Sequence, residues 1–351
     1  MTLTSIRARL ATCGPRAKHA VMPLLAAACL GLIAPAAMAS VTWTNSTRAN
    51  GLGNNNVFGV YASGSTIYAA TSGGLGVSTN NGTSWTNYTQ SGNGLGNNLV
   101  LGVYAIGSTI YAGTYGGLSV STDNGTSWTN STTTNGLGNN NVWGVYAVGS
   151  TIYAATGAGL SVSTNGGTNW TNYLGNNGLF GVYATGSTIY AATLFGLGVS
   201  TNNGTSWTHY TTTNGLGSYT VRGVYAVGST IYAATVGGLS VATNNGTSWT
   251  NYTTANGLGN NSVLGVYAIG STIYAGTYGG GVSVSTNNGT SWTNYTTTNG
   301  LGSNFVFGVY AVGGTIYAAT TGGLSIGVTA VPGTGLAGLA MLGLAGSRRR
   351  R

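Results

Sequence analysis

Residues 57–88 read VFGVYASGSTIYAATSGGLGVSTNNGTSWTNY. Their Val, Ile, Tyr, Thr and Trp residues fall into short runs bounded by Gly, Asn and Ser, the mark of strands rather than helices. Four strands are expected: Val57–Ala62, Thr66–Ala70, Leu75–Thr79 and Ser84–Tyr88. No part of the segment has a helical period. Asn81-Gly82 suits a tight hairpin, because both residue types tolerate positive φ. No proline lies between Pro35 and Pro332, so none removes a ladder donor there.

The segment recurs along the chain. GVYA begins at Gly59, Gly102, Gly144, Gly181, Gly223, Gly265 and Gly308, with one shortened step into Gly181. Four strands in about 42 residues is the size of a propeller blade, with a β-solenoid as the rival. The ends decide between them. The seventh copy stops after its third strand, near Val328, without the Trp-containing fourth, and Val41-Thr42-Trp43-Thr44-Asn45 matches that missing strand. A ring closed by the N-terminal strand explains both fragments, whereas a linear solenoid would leave two raw edges. The expectation is an all-β fold: a seven-bladed β-propeller of four-stranded antiparallel blades over residues 40–330.

Between the third and fourth strands the first six copies carry the frame Ser-x-Asp/Asn-x-Gly-x-x-Trp. Instances are Ser78, Asn80, Gly82 and Trp85, then Ser121, Asp123, Gly125 and Trp128; the fifth copy has Ala242 in place of Ser. This frame resembles the Asp-box, or BNR repeat, of sialidase-type propellers, a peripheral hairpin away from the catalytic face. Asp123 is the only acidic residue of the chain, and Asn80, Asn165, Asn202, Asn244 and Asn287 hold its place elsewhere. It therefore reads as a structural turn residue. A short polar side chain folds back on backbone N–H groups, Gly allows the turn, and Trp buries a large ring.

The rest of the repeat resembles the two-component-regulator propeller repeats, with their NGL opening, an aromatic-x-G/A-T and a following GL. Here these appear as Asn135-Gly136-Leu137, Val142, Tyr153-Ala154-Ala155-Thr156 and Gly159-Leu160. That likeness implies a sensor propeller as an alternative function; no histidine-kinase or DNA-binding segment accompanies it.

Charge and chemistry narrow the classes. Only 3% of residues are charged, against about 25% in a typical soluble domain. Most of the +9 sits at the ends, in Arg7, Arg9, Arg16, Lys18 and Arg348–Arg351. The body retains Arg48 and Arg222 against Asp123, too little for a nucleic-acid binder. Low net charge favours self-association and adhesion. Glycosidases need paired carboxylates, or a Tyr supported by acids, so a degenerate sialidase-like enzyme is disfavoured. No His, Cys, Asp or Glu cluster suggests a metal, and no cofactor is expected. His209 replaces the Asn of the usual WTNY and reads as repeat drift. The expectation is a non-catalytic protein.

Within so regular a repeat, the positions that vary are informative. One set precedes the inner-strand Gly: Phe58, Leu101, Trp143, Phe180, Arg222, Leu264 and Phe307. Another follows the second strand: Ser72, Tyr115, Gly157, Leu194 (with Phe195 beside it), Val236, Tyr278 and Thr321. Propeller topology puts both toward one face, and Arg48 lies in a corresponding connector. A rim of aromatics and arginines could stack on sugar rings or contact a protein; alternatively these side chains only plug the channel. The short connector after Trp170 is expected to open a notch beside Phe180.

The termini carry address signals. Arg7 to Lys18, the apolar run Val21–Leu32 and Ala37-Met38-Ala39 form a secretory signal over residues 1–39. Cys13 and Cys29 both lie inside it, so the exported part has no thiol. Cys29 lacks the preceding Leu usual at a lipidation site. Residues 331–351, VPGTGLAGLAMLGLAGSRRRR, resemble the PEP-CTERM sorting signal of Gram-negative bacteria, with Gly333-Thr334 where that signal has Glu-Pro. The resemblance implies an exosortase-like processing enzyme as a partner, membrane contact only through the two terminal segments, and a destination at the cell surface or in an extracellular matrix. The function expected is a binding or structural module for polysaccharide or protein.

Overall fold

The structure, a computed structural model, describes residues 40–175 and 177–329. The expected signal segment and sorting tail lie outside the described residues. Those described form seven four-stranded antiparallel sheets. Blade one comprises Val57–Ser63, Thr66–Thr71, Gly74–Ser78 and Thr86–Tyr88, arranged side by side in chain order. Blades two to six repeat it from inner strands Val100–Ile106, Val142–Val148, Leu179–Thr185, Val221–Val227 and Val263–Ile269. Blade seven holds Val306–Val312, Thr315–Thr320 and Gly323–Thr329, and its outer strand is Val41–Ser46, in register from Val41 opposite Thr329 to Ser46 opposite Leu324. The inner strand of blade seven packs on that of blade one, so the ring closes.

Each blade lies between two others, so its middle strands are buried on both faces. Successive side chains point to opposite faces. Ile67 and Ala69 therefore pack with Leu324 and Ile326 of blade seven, while Tyr68 and Ala70 pack with Val100 and Ile110 of blade two. Burying a Leu or Ile fully stabilises by about 1.5–3 kcal/mol, and Ile67, Leu75, Ile110 and Leu118 are all fully buried.

At the periphery, aromatic pairs link successive blades. Trp128 meets Tyr88 edge-on at 5.8 Å, Trp249 meets Tyr210 at 5.7 Å, and Trp292 meets Tyr252 at 5.8 Å. The seam uses the same contact, with Trp43 against Tyr295 at 5.8 Å. Two joints lack the Tyr. Ser131 and Ser46 stand in its place beneath Gly167 and Gly82.

The loop before each outer strand is held by its own side chains. Ser121 Oγ donates to Asp123 Oδ1 at 2.7 Å and accepts from Gly125 N–H at 2.7 Å. Asp123 Oδ1 accepts from Ser127 N–H at 2.9 Å, and Oδ2 accepts from Ser127 Oγ. In blade one Asn80 Oδ1 accepts from Ser84 N–H at 2.9 Å, while its Nδ2 donates to Ser84 Oγ at 2.8 Å. The fork is the same with one donor reversed, so the negative charge is not what builds the turn. Asn81 and Gly82 both take positive φ, 57° and 86°, as the hairpin reading requires. Because Ser84 is drawn into this fork, the outer strand starts at Thr86 rather than at the expected Ser84.

Ala242 removes the Ser acceptor from the fifth loop. Ala242→Ser should restore the bond to Gly246 N–H and raise stability by about 1 kcal/mol. A higher urea midpoint at unchanged slope is the expected reading; a lower one would mean the buried site cannot take the hydroxyl.

Most connectors between blades form single 3-10 turns, such as Thr133–Asn135, in which Asn135 Oδ1 accepts from Thr132 N–H at 3.0 Å; the one between blades one and two is a single α-helical turn, Gln90–Asn93. The Leu after each turn, for example Leu52 or Leu137, is buried between blades. The shortened connector has no such turn. Leu174, at φ 55°, instead packs into the core between blades three and four.

Candidate functional site

The seven inner strands share one irregularity. Each ladder slips between the first residue and the Gly, from Val57 to Gly59 in blade one through Val306 to Gly308 in blade seven. A bulge sets two residues against one and turns the extra side chain. The extra residue is the variable one: Phe58, Leu101, Trp143, Phe180, Arg222, Leu264 or Phe307. All seven line a single cavity of about 450 Å³, joined by Ser262 and Tyr278. Its aromatics are in contact: Phe58 and Phe307 lie 5.3 Å apart, and Trp143 meets Phe180 edge-on at 6.0 Å.

One wall is charged. The guanidinium carbon of Arg222 sits 4.2 Å from the centre of the Phe180 ring. Arg222 Nε is buried without a hydrogen-bond partner, and burial lowers the pKa of the group. The chain's only acidic side chain, Asp123, is committed to its own peripheral loop.

Immediately past the bulge is the Gly of GVYA. A Cβ on Gly102 would lie 2.9 Å from Trp143 O and 3.0 Å from Gly144 Cα, and one on Gly265 would lie 2.9 Å from Gly308 Cα. At these two joints the inner strands touch backbone to backbone and only Gly fits, whereas a Cβ on Gly181 or Gly308 would come no nearer than 3.6 or 3.4 Å.

Two residues further on, the Tyr of GVYA forms a closed ring. Tyr61, Tyr104, Tyr146, Tyr183, Tyr225, Tyr267 and Tyr310 follow one another with ring centres 4.7–5.1 Å apart, and Tyr310 returns to Tyr61. Burial, together with neighbouring Tyr104, pushes the Tyr61 hydroxyl up to about 12. Tyr146, Tyr183, Tyr225 and Tyr310 are also raised, burial being the main cause. Sequence reasoning passed over this ring by attending to positions that differ; its signal was invariance at one inner-strand position in all seven copies. At the far end of the same strands Ile106, Val148, Val227 and Ile269 are exposed.

The other expected site residues are dispersed. Tyr278 reaches the cavity and stacks edge-on with Phe305 at 4.7 Å, a partner not anticipated. Tyr115 and Phe195 are 50% and 60% exposed on their hairpins and line no part of it. Arg48 opens an exposed 3-10 turn, its N–H held by Asn55 Oδ1 at 2.8 Å, and it also lies outside the cavity walls. A connector begins where an outer strand ends, so Arg48 starts at the periphery. Among the described residues, none of the short connector is among the walls of this cavity. Asp123, Gly125, Trp128, Asn80, Gly82 and Trp85 all belong to the loop frame and the blade joints. Larger or similar clefts between blades one and two (about 520 Å³) and three and four (about 400 Å³) are walled by framework residues such as Tyr68, Tyr88, Tyr153 and Tyr173. Among the described residues no three His, Cys, Asp or Glu side chains come together.

No protein-family model matches the sequence, and no characterised protein matches it at the sequence level. Solved structures do match in three dimensions. The extracellular domain of a protein described as a hybrid two-component system from B. thetaiotaomicron aligns with TM-score 0.69 at 17% identity, over 82% of this chain and 42% of that one. YCF48 bound to D1 peptide aligns with TM-score 0.64 at 12% identity, over 84% of this chain and 100% of that one. The GH74 enzyme of Niastella koreensis aligns with TM-score 0.54 at 24% identity, over 82% and 43%. The chain thus spans less than half of the two-component and GH74 structures. Likeness at these identities speaks for the fold alone, and that fold is a seven-bladed β-propeller of four-stranded antiparallel blades.

Proposed function

We propose that this propeller is a non-catalytic binding module whose ligand enters the axial cavity. The observation that carries the reading is the bulge repeated in all seven inner strands, which brings one variable residue from each blade to one aromatic-walled space of about 450 Å³. That volume lies within the usual range of small-molecule pockets. Trp143, Phe180, Phe58 and Phe307 offer rings to the flat faces of sugars or of aromatic side chains. A polysaccharide or a surface protein is the partner class this fits. No paired acids stand in the cavity, which weighs against glycoside hydrolysis despite the GH74 likeness.

The setting we infer is outside the cell, at the surface or in a matrix. The amino-terminal segment and the PEP-CTERM-like tail support it, as do the extracellular domains among the fold's likenesses. The loop frame around Asp123 is read as an Asp-box turn. A sensor role is the second reading, favoured by the likeness to extracellular domains of two-component systems.

A glycan and exopolysaccharide screen of the protein, run beside Trp143→Ala/Phe58→Ala, tests the binding reading. The variant is expected to lose at least tenfold in affinity, about 1.4 kcal/mol. Binding equal in both proteins would remove the cavity from the function.

A further inference from the structure

We propose that the axial cavity is built for a ring-shaped ligand carrying a carboxylate, an acidic sugar of the uronate kind. The proposal rests on the binding reading above and adds the ligand class.

Arg222 is the starting point. At six of the seven bulges the residue is Phe, Leu or Trp, and at the seventh it is Arg. A guanidinium stays charged in proteins and presents a planar fork matched to a carboxylate. Here it is half-buried, rests on the Phe180 ring at 4.2 Å, and has one N–H buried without a partner. Burying a charge is costly unless a partner compensates. The chain offers none, since its single acidic side chain is held by Ser121 and Ser127 in a peripheral loop. Cation–π contact with Phe180 is worth only about 0.5–2 kcal/mol, and Arg222 is among the residues that line the cavity. A ligand carboxylate would supply the bidentate, charge-assisted bonds.

The remaining walls limit what else that ligand can be. Aromatic and aliphatic side chains around one cation suit a flat ring with a single negative charge. They do not suit a polyphosphate or a nucleic acid, which needs several cations. A simple anion such as acetate would use Arg222 but leave Trp143, Phe58 and Phe307 without a partner.

The test is calorimetric titration of the full chain with galacturonate and glucuronate, as monomers and short oligomers, against galactose, glucose and acetate. The same series is repeated on Arg222→Met and on Trp143→Ala. Uronates are expected to bind at least tenfold more tightly than the neutral sugars and than acetate. Arg222→Met should erase that preference. Its unliganded melting temperature should rise, because an uncompensated charge is gone. Acidic and neutral sugars binding equally in the parent protein would overturn the carboxylate assignment while leaving the binding reading intact. Uronate binding that Arg222→Met loses but Trp143→Ala keeps in full would place the carboxylate at Arg222 and overturn the stacked ring. No binding by any probe, or a fall in the melting temperature of Arg222→Met, would overturn the proposal.

Discussion

Raising the pH past 10 is expected to unfold this protein in one cooperative step, while lowering it to 3 leaves it folded. The alkaline limb comes from the tyrosines. Five tyrosines of the axial ring (Tyr61, Tyr146, Tyr183, Tyr225, Tyr310) and the second-strand set (Tyr68, Tyr111, Tyr153, Tyr190, Tyr232, Tyr274, Tyr317) hold raised values, chiefly through burial. A raised phenol keeps its proton in the fold where the unfolded chain has lost it. Its contribution is complete below about pH 10 and is lost as the pH climbs through the folded value, about 12 for Tyr61. Each such phenol steepens the loss by up to about 1.4 kcal/mol per pH unit, less where its hydroxyl meets solvent.

The acid limb has almost nothing to drive it. Acid unfolding proceeds mainly by protonating carboxylates that the fold holds ionised, and this chain's one acidic side chain is Asp123. Hydrogen bonds from Ser127, then Ser121, lower it from 3.8 to about 2. Its contribution is present above about pH 4 and fades between there and 2. Asp123→Asn should remove this shallow slope without changing stability at neutral pH. Circular dichroism and phenolate absorbance, followed together across pH, check both limbs. Phenols that ionise near 10 with the fold intact would show that the ring is open to water.

The second large effect is expected at the seam. Trp43→Ala should cost about 3–5 kcal/mol, the usual range for a buried Trp. Trp43 is 9% exposed and packs on Tyr295, while its strand carries the whole outer ladder of blade seven. Trp128→Ala removes the equivalent ring from blade two, where the outer strand is continuous with its neighbours on both sides. The two variants should lose similar stability in urea, yet only Trp43→Ala should open residues 40–56 to native-state proteolysis. Cleavage in that segment in both variants, or in neither, would mean that the seam is no weaker than any other joint.

The blades and their closure were legible because they rest on period-two burial and on a fragment missing from one end that reappears at the other. Trp43 and the truncated seventh copy sufficed. The site was legible only as a direction. Variation at Phe58, Trp143 and Arg222 pointed to one face, but distance from the axis depends on a bulge, and a bulge is a backbone event that leaves no residue type behind. For the same reason Tyr115, Phe195 and Arg48 were grouped with residues they do not join. The start of the outer strand was misplaced at Ser84 because a side-chain fork took a backbone donor that strand propensity assigned to the ladder. Leu174 shows the converse: a five-residue deletion removed a turn, yet the gap between blades still demanded a Leu, which came from a strained backbone.

The seam also sets an order of assembly. Ser325 and Asn45 hydrogen-bond across a sequence separation of 280 residues, and Thr44 reaches Ile326 across 282. Every other outer strand lies within a few residues of the strand it joins. Contacts that close such long loops form late and slowly. Val41–Ser46 is therefore translated before any blade exists and docks after all of them. Until Gly323–Thr329 is in place, it is a free edge strand with six near-copies of its proper partner already folded beside it.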